Sequence, residues 1–295
     1  VRLRFGDVDP ANLCLDPNTI ERQITKKTRA IYVVHYAGCT ADMGPILEIA
    51  RRRGLAVVED AAHAPGAVYR GKKVGSLGDI TCFSLNSLKN ITTGGEGGML
   101  TTSQKRFTGE LDPLRNMGTL GPRRRRKVPA LGGYREPRVS DHNNGSYAFD
   151  LIRAEEHGTC LRMSELAAFI GRMQLKRLDH FNRVRTRIAK GYMKAMEGIP
   201  TLRFIEPPRG GSCVWHLFPV FVDCPALGID HRELLEFLQH EKKIQMIQRY
   251  FPVHLSNVMR FFGHRWGEAP VCEKIWFNQQ LNFPMNPRLT GRDVA

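Results

Sequence analysis

Short, nearly continuous apolar runs, punctuated by a helical segment, constrain this chain more than any other feature. A run at 30–35 is followed by a helix-patterned stretch at 45–53, then Gly54, then a second run at 55–59. Glycine suits that helix end, because it takes the left-handed backbone conformation without a Cβ clash. Further runs lie at 80–85 and 98–102. Strands that are apolar on both faces need cover on both sides of their sheet, and alternation with helices is what parallel strand order requires. The expectation is an α/β fold with a mostly parallel sheet flanked by helices. Ligands of such sheets collect beyond the C-terminal ends of the strands.

Two of those ends carry chemistry. The 55–59 run leads into Glu59-Asp60-Ala61-Ala62-His63, and the 80–85 run carries Ser84 and leads to Lys89-Asn90, before the glycines at 94, 95, 97 and 98. Pyridoxal phosphate needs these groups: a lysine amine to condense with its aldehyde, a carboxylate to keep its pyridine nitrogen protonated, and donors for its phosphate. The amine attacks only when neutral, so such a site should depress the Lys89 pKa by desolvation or nearby positive charge. Asp60 at a strand end would favour the charged ring nitrogen, Ser84 could donate to the phosphate, and His63 could face the same ring. Taken singly, the lysine is most simply a solvated surface charge, Asp60 a helix cap, His63 structural, and Ser84 no signal. Their order along one stretch of chain is what outweighs those readings.

The chain resembles the DegT/DnrJ/StrS family of sugar aminotransferases. The resemblance is carried by Asp7-Val8-Asp9, His35-Tyr36-Ala37-Gly38, Glu59-Asp60-Ala61-Ala62-His63, Gly75-Ser76-Leu77-Gly78-Asp79, Phe83-Ser84 with Lys89-Asn90, and Gly95-Glu96-Gly97-Gly98. It continues through Arg162-Met163-Ser164-Glu165-Leu166, Trp215-His216-Leu217-Phe218, Pro252-Val253-His254-Leu255 and Pro284-Met285-Asn286-Pro287, in family order over nearly the whole chain. The resemblance implies the fold-type-I pyridoxal-phosphate architecture, with Lys89 as the imine-forming lysine and Asp60 as the pyridine-nitrogen partner. It implies that His63 stands near the cofactor hydroxyl, that Ser84 binds phosphate, and that the protein is a homodimer with shared active sites. The implied reaction moves nitrogen from glutamate or glutamine through the cofactor onto a keto sugar. Dehydratase relatives carry histidine in place of the lysine, so Lys89 argues against that chemistry. A non-catalytic, cofactor-binding regulator is the alternative of a different class. One departure stands out: Cys160 occupies the place of an asparagine that reaches the neighbouring subunit's cofactor phosphate, and a thiol is a weak donor. The resemblance also implies that an N-terminal stretch precedes Val1 and a last helix follows Ala295, so the chain reads as a fragment.

After the strand region the pattern changes. From about 119 to 158 it dissolves into Gly, Pro, Arg and Asn, expected as a loop inserted near the site mouth. A long helical region is expected at 164–196, with Leu166, Ile170, Met173 and Leu178 on its apolar face. Beyond 198 the pattern becomes α+β, with strands at 214–222 and 244–248 and a helix at 232–239. The expected division is a large domain over 1–197 and a smaller one over 198–295.

The net charge of +15 comes from 44 Lys and Arg against 29 Asp and Glu. Part of it is the run Arg123-Arg124-Arg125-Arg126-Lys127. This is either a solvated loop or a means of steering an anionic sugar nucleotide or sugar phosphate. Nucleic-acid binding ranks last, because no recognition motif accompanies the run. No stretch approaches the ~20 apolar residues that span a bilayer. The seven cysteines form no C-x-x-C pair, so neither a metal site nor a disulfide framework is expected, and a reducing cytoplasmic compartment fits.

Overall fold

In the computed structural model of the protein, residues 1–116 and 158–294 are described. Residues 1–103 and 166–295 form one compact unit, and 104–165 a second.

The first unit holds a four-stranded sheet. Strands β1 (Ala30–Val34), β2 (Ala56–Asp60) and β5 (Ile80–Ser84) run parallel. Strand β6 (Gly98–Thr101) pairs antiparallel with β5, which gives the order β1-β2-β5-β6. A two-residue hairpin, β3 (Val68–Tyr69) with β4 (Lys72–Lys73), stands apart from it. Helix α1 (Met43–Arg53) crosses from β1 to β2 and buries Met43, Ile46, Ile49 and Ala50 along one stripe. Gly54 ends it in the left-handed conformation, at φ 64°, donating its N–H to the carbonyls of Ala50 and Arg51. Arg51, Arg52 and Arg53 sit in its last turn, where cations complement the helix dipole. The expected α/β class, with a mostly parallel sheet, is therefore present.

The expected long helix at 164–196 is two helices, since a turn at 176–177 separates α3 (Glu165–Leu175) from α4 (Leu178–Ala195). Helix α4 buries Leu178, Arg185, Ile188, Ala189 and Tyr192. Tyr192 stacks on Phe218 with ring centres 5.1 Å apart. Phe218 opens β8 (Phe218–Val222), the fully buried central strand of an antiparallel sheet with β7 (Leu202–Phe204) and β9 (Gln280–Phe283). Strand β8 starts later than the expected 214 because Trp215 takes a left-handed φ of 53°, which no strand accommodates. Helix α5 (His231–His240) matches the expected one, capped by Asp230, whose carboxylate accepts from the N–H groups of Arg232 and Glu233.

The expected strand at 244–248 is not one. The segment joins no ladder, and its backbone meets β9 at single points, Ile247 N–H to the Asn282 carbonyl and Arg249 N–H to Asn282 Oδ1. Its register is set by buried side chains instead.

The second unit contains α2 (Lys105–Arg115) and a bridge between Asn116 and Cys160. The Arg123–Lys127 run and most of the expected insertion lie outside the described residues. Among the described residues, no helix is long and apolar enough to cross a membrane, and no cluster of side chains could hold a metal ion. One expectation about cysteines is corrected: Cys39 and Cys213, 174 residues apart, form a disulfide. No spacing rule could find this pair, because an isolated antiparallel bridge between two distant loops brings it together.

Candidate active site

Parallel β2 and β5 end side by side, with Asp60 opposite Cys82 and Ser84 two residues further along β5. Glu59, one residue before Asp60, is fully buried and fixes this end of the sheet. It accepts hydrogen bonds from Gly78 N–H at 2.7 Å, from Thr81 Oγ1 at 2.7 Å and from His35 Nε2 at 2.9 Å. Ala41 N–H donates to His35 Nδ1, so Nε2 is the ring nitrogen that carries the proton Glu59 accepts. Burial works to raise the Glu59 pKa, but these donors overcome it and the net shift is downward. Sequence reading passed over Glu59 as part of an apolar run.

Asp60 is half-buried, and its carboxylate accepts from Ala62 N–H at 3.0 Å and from the Tyr32 hydroxyl at 2.9 Å. Burial, followed by the charge of Asp60, pushes the Tyr32 pKa up, so the phenol stays a donor.

Lys89 lies in the loop that follows β5. Leu85 N–H donates to the Gly97 carbonyl and Thr93 N–H to that of Leu85, which folds the loop back on itself. Gly97 is required there, because an added Cβ would come within 2.3 Å of Thr93 Oγ1. Lys89 N–H closes a turn on the Asn86 carbonyl. The neighbouring Asn90 is buried and ties the loop to distant chain. Its amide donates to the Asn182 side chain on α4 and to the Val214 carbonyl, each at 3.2 Å, and its oxygen accepts from His216 Nδ1 at 3.1 Å. Burial pushes the Lys89 pKa below its usual value, with Asp60 acting against that and Arg249 with it. The depression that a nucleophilic amine requires is therefore present.

His63 is buried between two rings. His216 stacks on it with centres 4.2 Å apart, and Tyr250 with centres 5.5 Å apart. The Tyr250 hydroxyl is 3.3 Å from His63 Nε2. Burial, then the charges of Lys89 and Arg249, push the His63 pKa down to about 3. Burial, then the presence of His63 and the charges of Lys89, Arg185 and Arg249, push that of His216 down to about 2. Both imidazoles are thus neutral near pH 7. Arg185 holds the His216 loop from α4, its guanidinium donating to the carbonyls of Trp215 at 3.1 Å and Met285 at 3.2 Å.

Asp60, His63 and Lys89 thus gather at one end of the sheet. Ser84 stands at the same end, where its Oγ accepts from Asn86 N–H at 3.4 Å. Cys160 is in the second unit and exposed, its pKa lowered by hydrogen bonds from Arg162. His216, Asn90, Tyr32, Tyr250 and Arg249 were not read as site residues. His216 and Asn90 had a signal, their places in the Trp215–Phe218 and Lys89–Asn90 segments.

The residues present fit pyridoxal phosphate. A partly desolvated lysine lies within the electrostatic reach of a carboxylate at a strand end. His63 Nδ1, buried and without a hydrogen-bond partner, is a polar atom that calls for one. This sheet and this site define a fold-type-I pyridoxal-phosphate transferase.

Comparison with known proteins agrees. The model of the DegT/DnrJ/EryC1/StrS aminotransferase family matches residues 2–295. The uncharacterized protein MJ1066 of Methanocaldococcus jannaschii is 34% identical over 291 residues, 98% of this chain and 70% of its own length. The spore coat polysaccharide biosynthesis protein SpsC of Bacillus subtilis is 32% identical over 292 residues, again 98% and 70%. The structure of S. venezuelae DesV in complex with a ketimine intermediate superposes with a TM-score of 0.79 at 30% identity, covering 98% of this chain and 68% of DesV. The chain belongs to the DegT/DnrJ/EryC1/StrS aminotransferase family, whose members are pyridoxal-phosphate-dependent and act on small-molecule sugars.

Proposed function

We propose that the protein is a transaminase that moves nitrogen from glutamate or glutamine onto a keto sugar, nucleotide-linked or phosphorylated. The observation that carries the reading is Lys89, an amine whose pKa burial lowers, within the field of Asp60 and itself acting on His63. Pyridoxal phosphate, when bound, supplies the carbonyl that receives the nitrogen and the ring that takes up electrons. In this reading Lys89 is its attachment point and then the base that moves a proton between the substrate carbon and the cofactor carbon. Asp60 keeps negative charge beside the ring nitrogen. His63 meets the ring hydroxyl through its unpartnered Nδ1, and Ser84 donates to the phosphate.

A homodimer follows from the same reading. Helix α3 leaves Leu166, Phe169 and Met173 exposed at 71%, 63% and 47%, an apolar face suited to burial against a second copy. We also keep a smaller C-terminal domain beginning at 198, where the chain leaves α4 for the antiparallel sheet. Cytoplasmic placement is supported by five free cysteines. The Cys39–Cys213 disulfide favours an oxidising compartment instead. Alkylation of thiols in intact cells before lysis separates the two, since a blocked Cys213 supports the cytoplasm and an unlabelled pair supports the alternative.

The reaction is tested in halves. Cofactor-loaded full-length protein mixed with glutamate, or in parallel with glutamine, should lose its visible cofactor absorbance and release the matching keto acid. Addition of the keto sugar should restore the spectrum and yield an aminated sugar that keeps its hydroxyls. A deoxygenated sugar without nitrogen would instead mark a dehydratase. No spectral change with either donor would favour the non-catalytic regulator.

A further inference from the structure

The chemistry above leaves one donor at the site without a task. Strand β1 alternates, with Ile31 and Val33 buried in the core and Ala30, Tyr32 and Val34 on the opposite face. In the parallel register Tyr32 stands beside Val58, and Val34 beside Asp60. Tyr32 is therefore two residues short of Asp60, about 6.6 Å along the sheet. An aromatic side chain spans such a diagonal, and the Tyr32 hydroxyl donates to Asp60 Oδ2 at 2.9 Å. Burial does not lock that ring in place, because Tyr32 is 57% exposed. Phenylalanine or valine would suit the strand as well. What tyrosine adds is one O–H, and among the described residues Asp60 is its only hydrogen-bond partner.

The surroundings of Asp60 make that bond count. Asp60 Oδ1 accepts from Ala62 N–H at 3.0 Å, so each oxygen is held by one donor and the plane of the carboxylate is set. An ionised carboxylate has about four lone-pair sites, so room remains for a further donor. Cys82 pairs with Asp60 on the other flank. Burial, then the charge of Asp60, raise the pKa of its thiol, and they raise that of Tyr32 in the same order. Both neighbours thus stay protonated near pH 7, and neither adds a negative charge beside Asp60.

We propose that Tyr32 is a positioning residue that keeps the proton shared by Asp60 and the cofactor ring on the ring nitrogen. The proposal rests on the reading of Asp60 as the partner of that nitrogen. The proton has two places: on the nitrogen, with the carboxylate ionised, or on Asp60, with both groups neutral. A hydroxyl that donates to Oδ2 stabilises the ionised carboxylate and so favours the first. The protonated ring is the better electron acceptor. Tyr32 thus acts on the chemistry through Asp60, without touching a reacting atom.

The test reads that proton by nitrogen NMR of the full-length protein, loaded with cofactor isotopically labelled at the ring nitrogen. Tyr32→Phe should move the resonance downfield, toward that of an unprotonated pyridine. It should also lower turnover about ten-fold, the scale of one lost hydrogen bond to a charged group, while cofactor affinity changes much less. Fluorotyrosine installed in place of Tyr32 is a stronger donor of nearly the same size, and should move the resonance upfield. It also carries the test if Tyr32→Phe fails to fold. Asp60→Asn, which removes the acceptor's charge, should move the resonance downfield further than Tyr32→Phe does. The proposal is overturned if Tyr32→Phe leaves the resonance in place, or if both Tyr32 variants move it in one direction. It is equally overturned if a folded Tyr32→Phe loses as much cofactor affinity as turnover. A resonance that Asp60→Asn shifts and Tyr32→Phe does not refutes this assignment and leaves the reading of Asp60 standing. A resonance that Asp60→Asn leaves in place refutes both.

Discussion

The ends of β2 and β5 and the irregular stretch at 241–250 meet at His63, and they are built in opposite ways. The strand ends are local. Glu59, Asp60 and His63 fall within five residues, and Ser84 and Lys89 within six, and the β2–β5 pairing sets these two short segments side by side. The 241–250 stretch has no ladder and is positioned by Tyr36, Gln280 and Asn282, which come from other parts of the chain. The first region carries the groups proposed to react. The second sets their environment, since the charge of Arg249 reaches Lys89 and His63, and the Tyr250 ring stacks on His63, from far along the sequence. Reactive groups can thus sit in short motifs, while the groups that tune them need a closed fold.

That contrast can be broken first at Lys89. Lys89→Ala should lower amino transfer by about a thousand-fold or more, the scale of a lost general base. Borohydride reduction of the loaded wild type should place the pyridoxyl group on the peptide that contains Lys89. A label on another lysine would remove the strand-end region from the chemistry.

Asp60→Ala comes next. Its charge counts most when electrons flow into the ring, so turnover should fall by about a hundred-fold while cofactor affinity changes much less. Equal losses in both would make Asp60 a binding group only.

A third measurement probes the ring column that joins the two regions. His63 and His216 have native pKa values of about 3 and about 2, well below the ~6.5 of an unfolded chain. The unfolded state therefore binds more protons over that interval, and stability falls as pH drops below about 6.5 toward the native values. The loss is at most about 1.4 kcal/mol per pH unit for each histidine. Urea unfolding of the full-length protein at pH 7 and pH 4.5 should show it, and His216→Gln should shrink the difference. An identical pH dependence in wild type and variant would mean that His216 does not titrate on unfolding.

The smallest effect is expected at Arg123–Arg126. If these arginines steer an anionic sugar, neutralising all four should slow substrate association several-fold at low salt and leave it unchanged at high salt. Equal rates at low salt would make the run a solvated loop.

Much of the first region could be read from residues alone. Apolar runs of strand length, Gly54 after α1, and acid and lysine at successive strand ends pointed to a parallel sheet with a site at its edge. The second region was misread. Residues 244–248 have strand-like composition, yet β9 spends its ladder bonds on β8 and meets this stretch only through Asn282 and the Gln280 side chain. Trp215 likewise looked like part of a strand, and its left-handed φ delays the start of β8.

By itself, the sequence determined the α/β class, a mostly parallel sheet, and the placement of Asp60 and Ser84 at strand ends with Lys89 in the loop beyond. These depend on periodicity and on neighbours a few residues apart. Only the tertiary structure decided that Glu59 is a buried acceptor, that Cys39 meets Cys213, and that His216, His63, Tyr250 and Arg249 stack into one column. Burial and electrostatic fields depend on which distant side chains close over a site, and that is settled when the chain packs, not by local pattern.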